Sequence, residues 1–313
     1  MRAPDFWRRR GIVSTVLAPL GAVYGASVAW KASHGSPYRA KARVVCVGNL
    51  TAGGSGKTPV ALAIGARLKA KGVRVFFLTR GYGGSEGGPL EVTPSHTAAQ
   101  VGDEALLLAR SAPTIVVRDR AAGAALADEK GAQIIVMDDG HQNFTLAKDL
   151  SLVVVDGETG FGNGRMIPAG PLREPVAQGL ARADAVVIMQ GGDPDLAGYS
   201  GPRLQARLAA RDSDLRGKAV FAFAGIGRPE KFVASLKEEG AIVTETQFFA
   251  DHHPFTPDEI SGLKARAGGA LLITTEKDLV RLAEKDQAGI SALAVRARFD
   301  DETALDALLA RLA

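Results

Sequence analysis

The segment Thr51–Thr58 combines glycines, a lysine and hydroxyl side chains in a pattern that is typical of phosphate binding. It follows the apolar run Arg43–Gly48. Glycines let backbone N–H groups approach phosphate oxygens, and the N-terminus of a following helix favours anions. Lys57 can then reach the β- and γ-phosphates, and Thr58 can ligate Mg²⁺. The expected nucleotide-binding residues are Thr51, Ala52, Gly53, Gly54, Ser55, Gly56, Lys57 and Thr58.

Departures from known patterns narrow the class of phosphate loop. Thr51 stands where the Walker A pattern has its first glycine, so a plain glycine-rich turn is the alternative. Partition-type ATPases carry a second lysine early in the loop, and that position is Ala52 here. GTPases need an Asn/Thr-Lys-x-Asp element for guanine, and the lysine of Thr275–Asp278 comes one place late. Both classes are therefore disfavoured.

Two carboxylates, Asp138 and Asp139, follow the apolar run Gln133–Met137. A strand that ends in carboxylates delivers negative charge to the C-terminal edge of a sheet, where a nucleotide and its metal bind. Side chains alternate along a strand, so the two carboxylates point to opposite sides if the chain stays extended. We expect one of them to face Mg²⁺ directly or through water. A solvated turn is the alternative, because Asp-Asp-Gly also favours turns.

From residue 43 onward, apolar runs alternate with helical stretches. This pattern predicts an α/β fold of the P-loop NTPase type, a mostly parallel sheet with helices on both faces. Helices are expected at Lys57–Lys71, which ends at Gly72, and at Glu302–Leu312. The expected strands are Arg43–Gly48, Val73–Leu78, Thr114–Val117, Gln133–Met137, Leu152–Val155, Ala185–Met189, Ala219–Ala224, Ile242–Phe249, Ala270–Thr274 and Ala292–Ala297.

The domain organisation is expected to change near residue 200, where Gly, Pro and charged residues accumulate. We expect a membrane-associated segment at 1–42, a P-loop domain at 43–198, a linker at 199–217 and a smaller C-terminal α/β domain at 218–313. Of the 313 residues, 46% are apolar and 23% are charged, which argues against wholesale disorder and against a polytopic membrane protein. The single cysteine, Cys46, lies in an apolar run and is expected to be a reduced core thiol.

Basic charge is concentrated at the N-terminus. Residues 1–43 carry eight basic side chains and one acid, a net charge of +7, whereas the other 270 residues sum to −3. A basic body would suggest nucleic acid as a partner, but a basic N-terminal segment beside apolar sequence suggests an anionic lipid surface.

The run Gly11–Trp30 contains no charged residue, so its length alone would allow a transmembrane span. Its glycines, proline and hydroxyl residues argue instead for a helix that lies on the cytoplasmic face of a membrane, with Trp7, Tyr24 and Trp30 at the interface. An ordinary buried helix and a true span are the alternatives. A signal peptide is disfavoured because export would separate the phosphate loop from ATP.

Eight motifs, in order between about residue 4 and residue 300, resemble the bacterial tetraacyldisaccharide 4′-kinase family. Their number and their order along the chain argue against a chance similarity. The motifs are Gly48–Thr58, Arg80–Gly84, Gly102–Glu104, Asp138–Gln142, Phe161–Gly164, Pro168–Glu174, Ala250–His252 and Thr275–Asp278.

The resemblance implies ATP-dependent phosphorylation of the 4′-hydroxyl of an acylated glucosamine disaccharide 1-phosphate, with Mg²⁺. It also implies a peripheral or monotopic location at the cytoplasmic face of the bacterial inner membrane, and a smaller domain that closes over ATP. No nucleic acid and no obligate protein partner are expected. The competing functions are a membrane-docked P-loop ATPase switch and a soluble small-metabolite kinase.

The resemblance places the family's catalytic aspartate at Asp103 and its assisting histidine at His252. A sugar hydroxyl is a poor nucleophile near neutral pH, so a carboxylate that accepts its proton is useful. The alternative for Asp103 is a carboxylate that only favours a helix N-terminus, and for His252 an ordinary loop histidine. His141 and His253 depart from the family pattern, and His253 makes the choice of histidine ambiguous.

The remaining site residues implied by the resemblance bind phosphate and metal. Arg173 and Lys57 are expected to be catalytic through the charge they offer the transferred group, and Thr58, Asp138, Asp139 and Glu174 to form the metal site. A surface Arg173–Glu174 pair is the alternative. Substrate contacts or plain turn and core roles are equally open for Arg80, Tyr82, Phe161 and Asn163.

Overall fold

The computed structural model describes residues 4–211 and 213–312, and its strands form two sheets. Residues 1–3, Asp212 and Ala313 belong to the expected N-terminal segment, linker and C-terminal domain, and they lie outside the described residues. The strands are β1 Arg43–Gly48, β2 Val75–Thr79, β3 Leu90–Glu91, β4 Thr114–Val116, β5 Ile134–Asp138, β6 Leu150–Asp156, β7 Ala185–Met189, β8 Arg203–Ala210, β9 Ala219–Ala224, β10 Ile242–Phe248, β11 Leu271–Thr275, β12 Ser291–Leu293 and β13 Val295–Phe299.

The α-helices alternate with these strands along most of the chain. They are α1 Ile12–Val16, α2 Ala18–His34, α3 Lys57–Ala70, α4 Ala98–Val101, α5 Asp103–Ala109, α6 Arg120–Glu129, α7 Val176–Leu180, α8 Pro229–Glu238, α9 Pro257–Ala267, α10 Glu276–Leu279, α11 Glu284–Gln287 and α12 Glu302–Leu309. Short 3₁₀ turns occupy Asp5–Trp7 and Ala310–Leu312.

The larger sheet has the strand order β13, β8, β7, β6, β1, β5, β2, β4, β3. Its interior strands are parallel, whereas β3 and β13 join the two edges in antiparallel orientation. The expected α/β fold with a mostly parallel sheet is confirmed. In the register between β1 and β5, Val47 lies opposite Asp138. The sheet therefore sets the start of the phosphate loop beside the carboxylate pair.

Both faces of β1 are buried, as its continuous apolar sequence predicts. Val47 lies in a cluster with Val60 and Ile64 of α3, whereas Cys46 lies in the opposite cluster with Ala124 of α6. The Cys46 thiol is free and fully buried, and burial raises its pKa. This agrees with the expectation of a reduced core thiol.

The smaller sheet has the order β10, β9, β11, β12, and all of its pairings are parallel. Helix α8 covers one face through Phe232 and Leu236, and α9 covers the other through Ile260 and Leu263. The segment from β9 to β12, residues 219–293, is called the smaller-sheet unit. It carries His252 and the segment Thr275–Asp278 on the loops and the short helix that follow its strands.

The structure differs from the expected division after residue 198. The expected linker 199–217 contains β8, whose alternating buried residues Leu204 and Ala206 complete the core of the larger sheet. The run expected as one strand at Ala292–Ala297 is two strands, and β13 leaves the smaller sheet to pair with β8. In β8, apolar residues alternate with polar residues over only a few positions, and two arginines interrupt them. This pattern is too weak to distinguish a strand from a linker in the sequence.

The N-terminal helix α2 is docked through glycines and leaves large apolar side chains exposed. A Cβ at Gly25 would overlap the Met166 sulfur, so the absence of a side chain permits this close approach. This arrangement does not fit the alternative of an ordinary buried helix. The exposed apolar residues of α1 and α2 are Ile12, Val13, Val16, Leu20, Val23 and Trp30. Within 4–211 and 213–312, no helix is both long enough and apolar enough to cross a membrane.

Candidate active site

The phosphate loop joins the end of β1 to the first turn of α3. Gly53 and Gly56 adopt φ values of +126° and +88°, in the region that side-chain-bearing residues rarely adopt. Inside the loop, the Asn49 side-chain amide donates a 3.0 Å hydrogen bond to the Ser55 hydroxyl. The loop thus has the strand, glycines and helix N-terminus that backbone binding of phosphate requires.

Thr58 and Asp138 form the buried floor of this loop. The Thr58 hydroxyl donates to Asp138 Oδ2 at 2.9 Å, whereas Asp138 Oδ1 is buried and has no hydrogen-bond partner in the described part of the chain. Burial, together with the charge of Glu104, raises the pKa of Asp138 to about 7. An orphaned carboxylate oxygen beside a hydroxyl suits a hard cation such as Mg²⁺.

The residues that the structure describes do not form a complete protein cage for a metal. Among the described residues, no group of three or more His, Cys, Asp and Glu side chains is placed to hold one. Mg²⁺ is commonly bound by one or two carboxylates together with water and substrate phosphates. The donor set of Thr58 and Asp138 fits such a nucleotide-dependent site.

Asp139 lies between two cations. It has a φ of +55°, and its Oδ1 lies 3.7 Å from Lys57 Nζ. Arg173 donates from one guanidinium nitrogen to both carboxylate oxygens, at 2.9 and 3.1 Å. Burial alone would raise the pKa of Asp139, but the charges of Lys57 and Arg173 lower it. Asp139 is therefore ionised, and it holds both cations beside the loop.

Glu174 lies in a different set of contacts from the other expected metal-site residues. Its Oε1 accepts a 2.9 Å hydrogen bond from Gln142, and its Oε2 pairs with Arg182 at 2.6 Å. The alternative of a surface Arg173–Glu174 pair does not agree with the contacts of the described residues, in which Arg173 pairs with Asp139 and Glu174 pairs with Arg182. The contacts of Glu174 give no support to its predicted role as a metal ligand.

Asp103 is the first residue of α5 and is only 4% exposed. Its Oδ1 accepts the Glu104 backbone N–H at 3.0 Å, and its Oδ2 lies 3.3 Å from His252 Nδ1. Arg281 Nε donates to the same Oδ2 at 3.2 Å. Burial alone would raise the pKa of Asp103, but His252 and the charges of Lys277 and Arg281 lower it below its ordinary range. The structure thus brings Asp103 and His252 together, and Asp103 is ionised.

His253 and His141 have other surroundings. His253 Nε2 lies 3.0 Å from Glu259, and its ring stacks on Phe249. His141 is buried, with its ring nitrogens 3.1 Å from the Ser151 hydroxyl and 2.9 Å from the Gly179 carbonyl. Burial lowers the pKa of His141 to about 4, so its ring is neutral at pH 7. Of the two adjacent histidines, it is His252 that reaches Asp103.

The other suggested substrate contacts divide into exposed and structural residues. Tyr82 is 70% exposed, and its ring centroid lies 6.0 Å from that of His252. Arg80 is also exposed. Asn163 is buried and donates to the carbonyls of Phe6 and Ala169, so it holds the N-terminal turn to its loop. Phe161 packs against an apolar cluster beside β6 and β7.

Several contacts at the site join residues that no local motif connects. Arg281 of the smaller-sheet unit reaches Asp103, and Lys277 pairs with Glu104 at 2.7 Å. Arg228, just before α8, donates to the Gly54 carbonyl at 2.9 Å and to Asp156 at 2.8 Å. Sequence reasoning missed Arg228 and Arg281. For Arg281, the one available clue was a basic residue a single helical turn after Asp278.

Comparisons with known proteins identify the family of this chain. A family model described as tetraacyldisaccharide-1-P 4′-kinase matches residues 13–313. A tetraacyldisaccharide 4′-kinase of Paramagnetospirillum magneticum is 54% identical and covers 100% of this chain and 99% of its own length. One from Rhodospirillum rubrum is 50% identical, with 100% and 98% covered.

A solved structure extends the likeness from sequence to fold. A crystal structure of LpxK from Aquifex aeolicus in complex with ATP superposes with a TM-score of 0.79 at 27% identity, covering 96% of this chain and 99% of that one. The resemblance expected from the sequence motifs is confirmed. The chain belongs to the tetraacyldisaccharide 4′-kinase family.

Proposed function

We propose that this chain transfers the γ-phosphoryl group of ATP to the 4′-hydroxyl of a tetraacyldisaccharide 1-phosphate, a step of lipid A biosynthesis. Membership of the family supports the activity, and the structure of an ATP complex of a relative supports the nucleotide. The observation that carries the proposal is the ionised, buried Asp103, held beside His252 at the same end of the sheet as the phosphate loop.

The protein's part in this reaction is positioning and charge stabilisation. The loop's backbone N–H groups and Lys57 bind the phosphates, and Asp103 accepts the proton of the sugar hydroxyl as the new bond to phosphorus forms. His252 orients Asp103. Arg173 lies beside Lys57, since both contact Asp139, and it neutralises charge on the transferred group.

Mg²⁺ fits the donors at the floor of the loop. Thr58 and the orphaned oxygen of Asp138 would hold it, and Asp139 would complete the negative charge there. When bound, the ion neutralises negative charge on the phosphates. The hydrogen bond between the Thr58 hydroxyl and the Asp138 carboxylate holds both groups in a buried position.

The N-terminal helices support an attachment to anionic lipid at the cytoplasmic face of the bacterial inner membrane. Exposed apolar side chains on α1 and α2 lie in the segment whose net charge is +7. Apolar side chains that insert beside lipid headgroups, with basic residues attracted to anionic lipid, are typical of interfacial helices. Such a location would give the site access to an acylated substrate. The unit built on the smaller sheet is proposed to close over ATP.

The test is an assay with ATP and the tetraacyldisaccharide 1-phosphate, with the product identified by mass. One added phosphate on the acceptor, and ADP release that depends on the acceptor, are expected. ADP release with water alone would favour an ATPase switch. Phosphorylation of soluble sugars with no gain from the lipid would favour a small-metabolite kinase.

A further inference from the structure

We propose that Arg281 is a positioning residue for phosphoryl transfer, which fixes the Asp103 carboxylate from the smaller-sheet unit. This inference rests on the proposed function, in which Asp103 takes the hydroxyl proton. Arg281 lies outside every motif that carries the family resemblance, and Asp103 lies 178 residues before it in the chain. Its guanidinium contacts the Asp103 carboxylate when the smaller-sheet unit is docked against the larger sheet.

The Arg281 guanidinium is held by hydrogen bonds within the smaller-sheet unit. One of its nitrogens donates to Asp278 Oδ1 at 2.7 Å and to the Gly225 carbonyl at 2.8 Å. The Asp278 side chain has no exposed surface, and its Oδ2 accepts a 2.7 Å hydrogen bond from Thr275. A planar group tied at one edge in this way offers its other edge in a fixed direction.

The other edge of the guanidinium faces Asp103. Nε lies 3.2 Å from Asp103 Oδ2, and the second terminal nitrogen makes a closer contact with the same oxygen. The side chains of Arg281 and Asp103 are 6% and 3% exposed. The second terminal nitrogen also lies 3.4 Å from His252 Nδ1, so one guanidinium touches both members of the proposed pair.

Because of these contacts, the two carboxylate oxygens of Asp103 have different hydrogen-bond partners. Oδ2 is occupied by Arg281 and His252, whereas Oδ1 accepts one N–H, from Glu104. A carboxylate oxygen has capacity for a further hydrogen bond, so Oδ1 is the oxygen that remains able to accept the hydroxyl proton. Arg281 thus determines which oxygen reacts and how the carboxylate is turned.

Arg281 also controls the charge of Asp103. In the described part of the chain, the charged and titratable groups around this carboxylate are Arg281, His252, Lys277, Asp278 and, on its own helix, Glu104, which pairs with Lys277. Burial opposes ionisation, so removing Arg281 should raise the pKa of Asp103. Because the deprotonated form is the base, activity should then be lost on the acidic side at a higher pH than in the wild type.

The experiment measures kcat and KM for ATP against pH in Arg281→Met, Arg281→Lys and Asp103→Asn, with Lys231→Met as the matched control. Lys231 joins the same two units through Glu158 at 2.6 Å, away from Asp103. Arg281→Met should lower kcat at neutral pH by about 10- to 100-fold, the cost of a hydrogen bond between charged groups. KM for ATP should change less than kcat.

The acidic limb of the pH profile of kcat should move to higher pH in Arg281→Met. Arg281→Lys keeps the positive charge, so it should restore the acidic limb to its wild-type pH. It loses the planar guanidinium, so it should restore only part of kcat. Lys231→Met should keep kcat within about threefold, since partly exposed ion pairs contribute little.

Three results would overturn the inference. A wild-type kcat and acidic limb in folded Arg281→Met, beside an inactive Asp103→Asn, would reject Arg281 and keep the proposed function. Full kcat in Asp103→Asn would reject the inference together with the role of Asp103 as the base, whereas the kinase activity itself would stand. Equal losses in Arg281→Met and Lys231→Met would assign Arg281 to docking alone.

Discussion

Replacing Asp103 and His252 singly and together tests whether the two side chains act as one unit across the two sheets. Asp103→Ala removes the proposed base and should lower kcat by about 10²- to 10⁴-fold, the usual contribution of general base catalysis. KM for ATP should change little, because the described contacts of Asp103 are with α5 and the smaller-sheet unit.

The loss expected for His252→Ala follows from its geometry. His252 Nδ1 lies 3.3 Å from Asp103 Oδ2, and the histidine side chain is 38% exposed. A hydrogen bond to a charged group contributes about 1.5–3 kcal/mol, and exposure favours the lower end, so the loss should be about 10-fold. Arg281 continues to hold Asp103 when His252 is absent, which is a second reason for a moderate effect.

The double variant separates cooperation from independence. If His252 acts through Asp103, the double variant should match Asp103→Ala, because groups that act as a unit are strongly non-additive. Independent roles would instead multiply the two losses. The assay is the steady-state phosphorylation of the lipid acceptor at saturating ATP, with thermal unfolding as the check on folding. Asp103→Asn, which keeps the shape of the side chain, provides a second measurement if Asp103→Ala is unstable.

His253→Ala is the matched control, because His253 pairs with Glu259 and not with Asp103. It should keep kcat within about threefold, since its contacts are those of a partly exposed pair. Multiplicative losses in the double variant would refute the pairing. An inactive His253→Ala beside an active His252→Ala would refute the choice of histidine.

Three further predictions concern the loop, the membrane and the core. Lys57→Ala should lower kcat by on the order of 10³-fold in a folded protein, and near-normal turnover would reject its role at the phosphates. Removal of residues 1–34 should abolish sedimentation with anionic vesicles, and added salt should weaken binding by the intact chain; equal binding by both forms would contradict the lipid role of α2. His141 has a pKa lowered from 6.5 to about 4, so its contribution to the free energy of unfolding is present above pH 6.5 and is lost as pH falls toward about 4. Denaturant unfolding at pH 7 and pH 4.5 should show a smaller drop in His141→Gln than in the wild type, and an equal drop would contradict this.

The local patterns of the sequence were sufficient for the phosphate loop and for the larger sheet's central strands. Lys57 and Thr58 follow glycines with positive φ values, a conformation that glycine adopts readily and other residues rarely do. The glycines in the sequence therefore predict the backbone conformation of the loop. Likewise, β1 and β7 begin and end where their apolar runs do. Such features depend on neighbours a few residues apart, which a sequence displays directly.

The contacts that complete the site depend on residues far apart in the chain, and the tertiary structure decided them. Nothing adjacent to Arg173 indicates that it pairs with Asp139 and not with Glu174. The meeting of Arg281 with Asp103 spans 178 residues and requires two sheets to dock. The helices, the strands and most of the reactive side chains could be predicted from the sequence, because they depend on local patterns of residue type. Which charges meet was decided by packing, since a buried charge is stable only beside a partner that the fold brings to it.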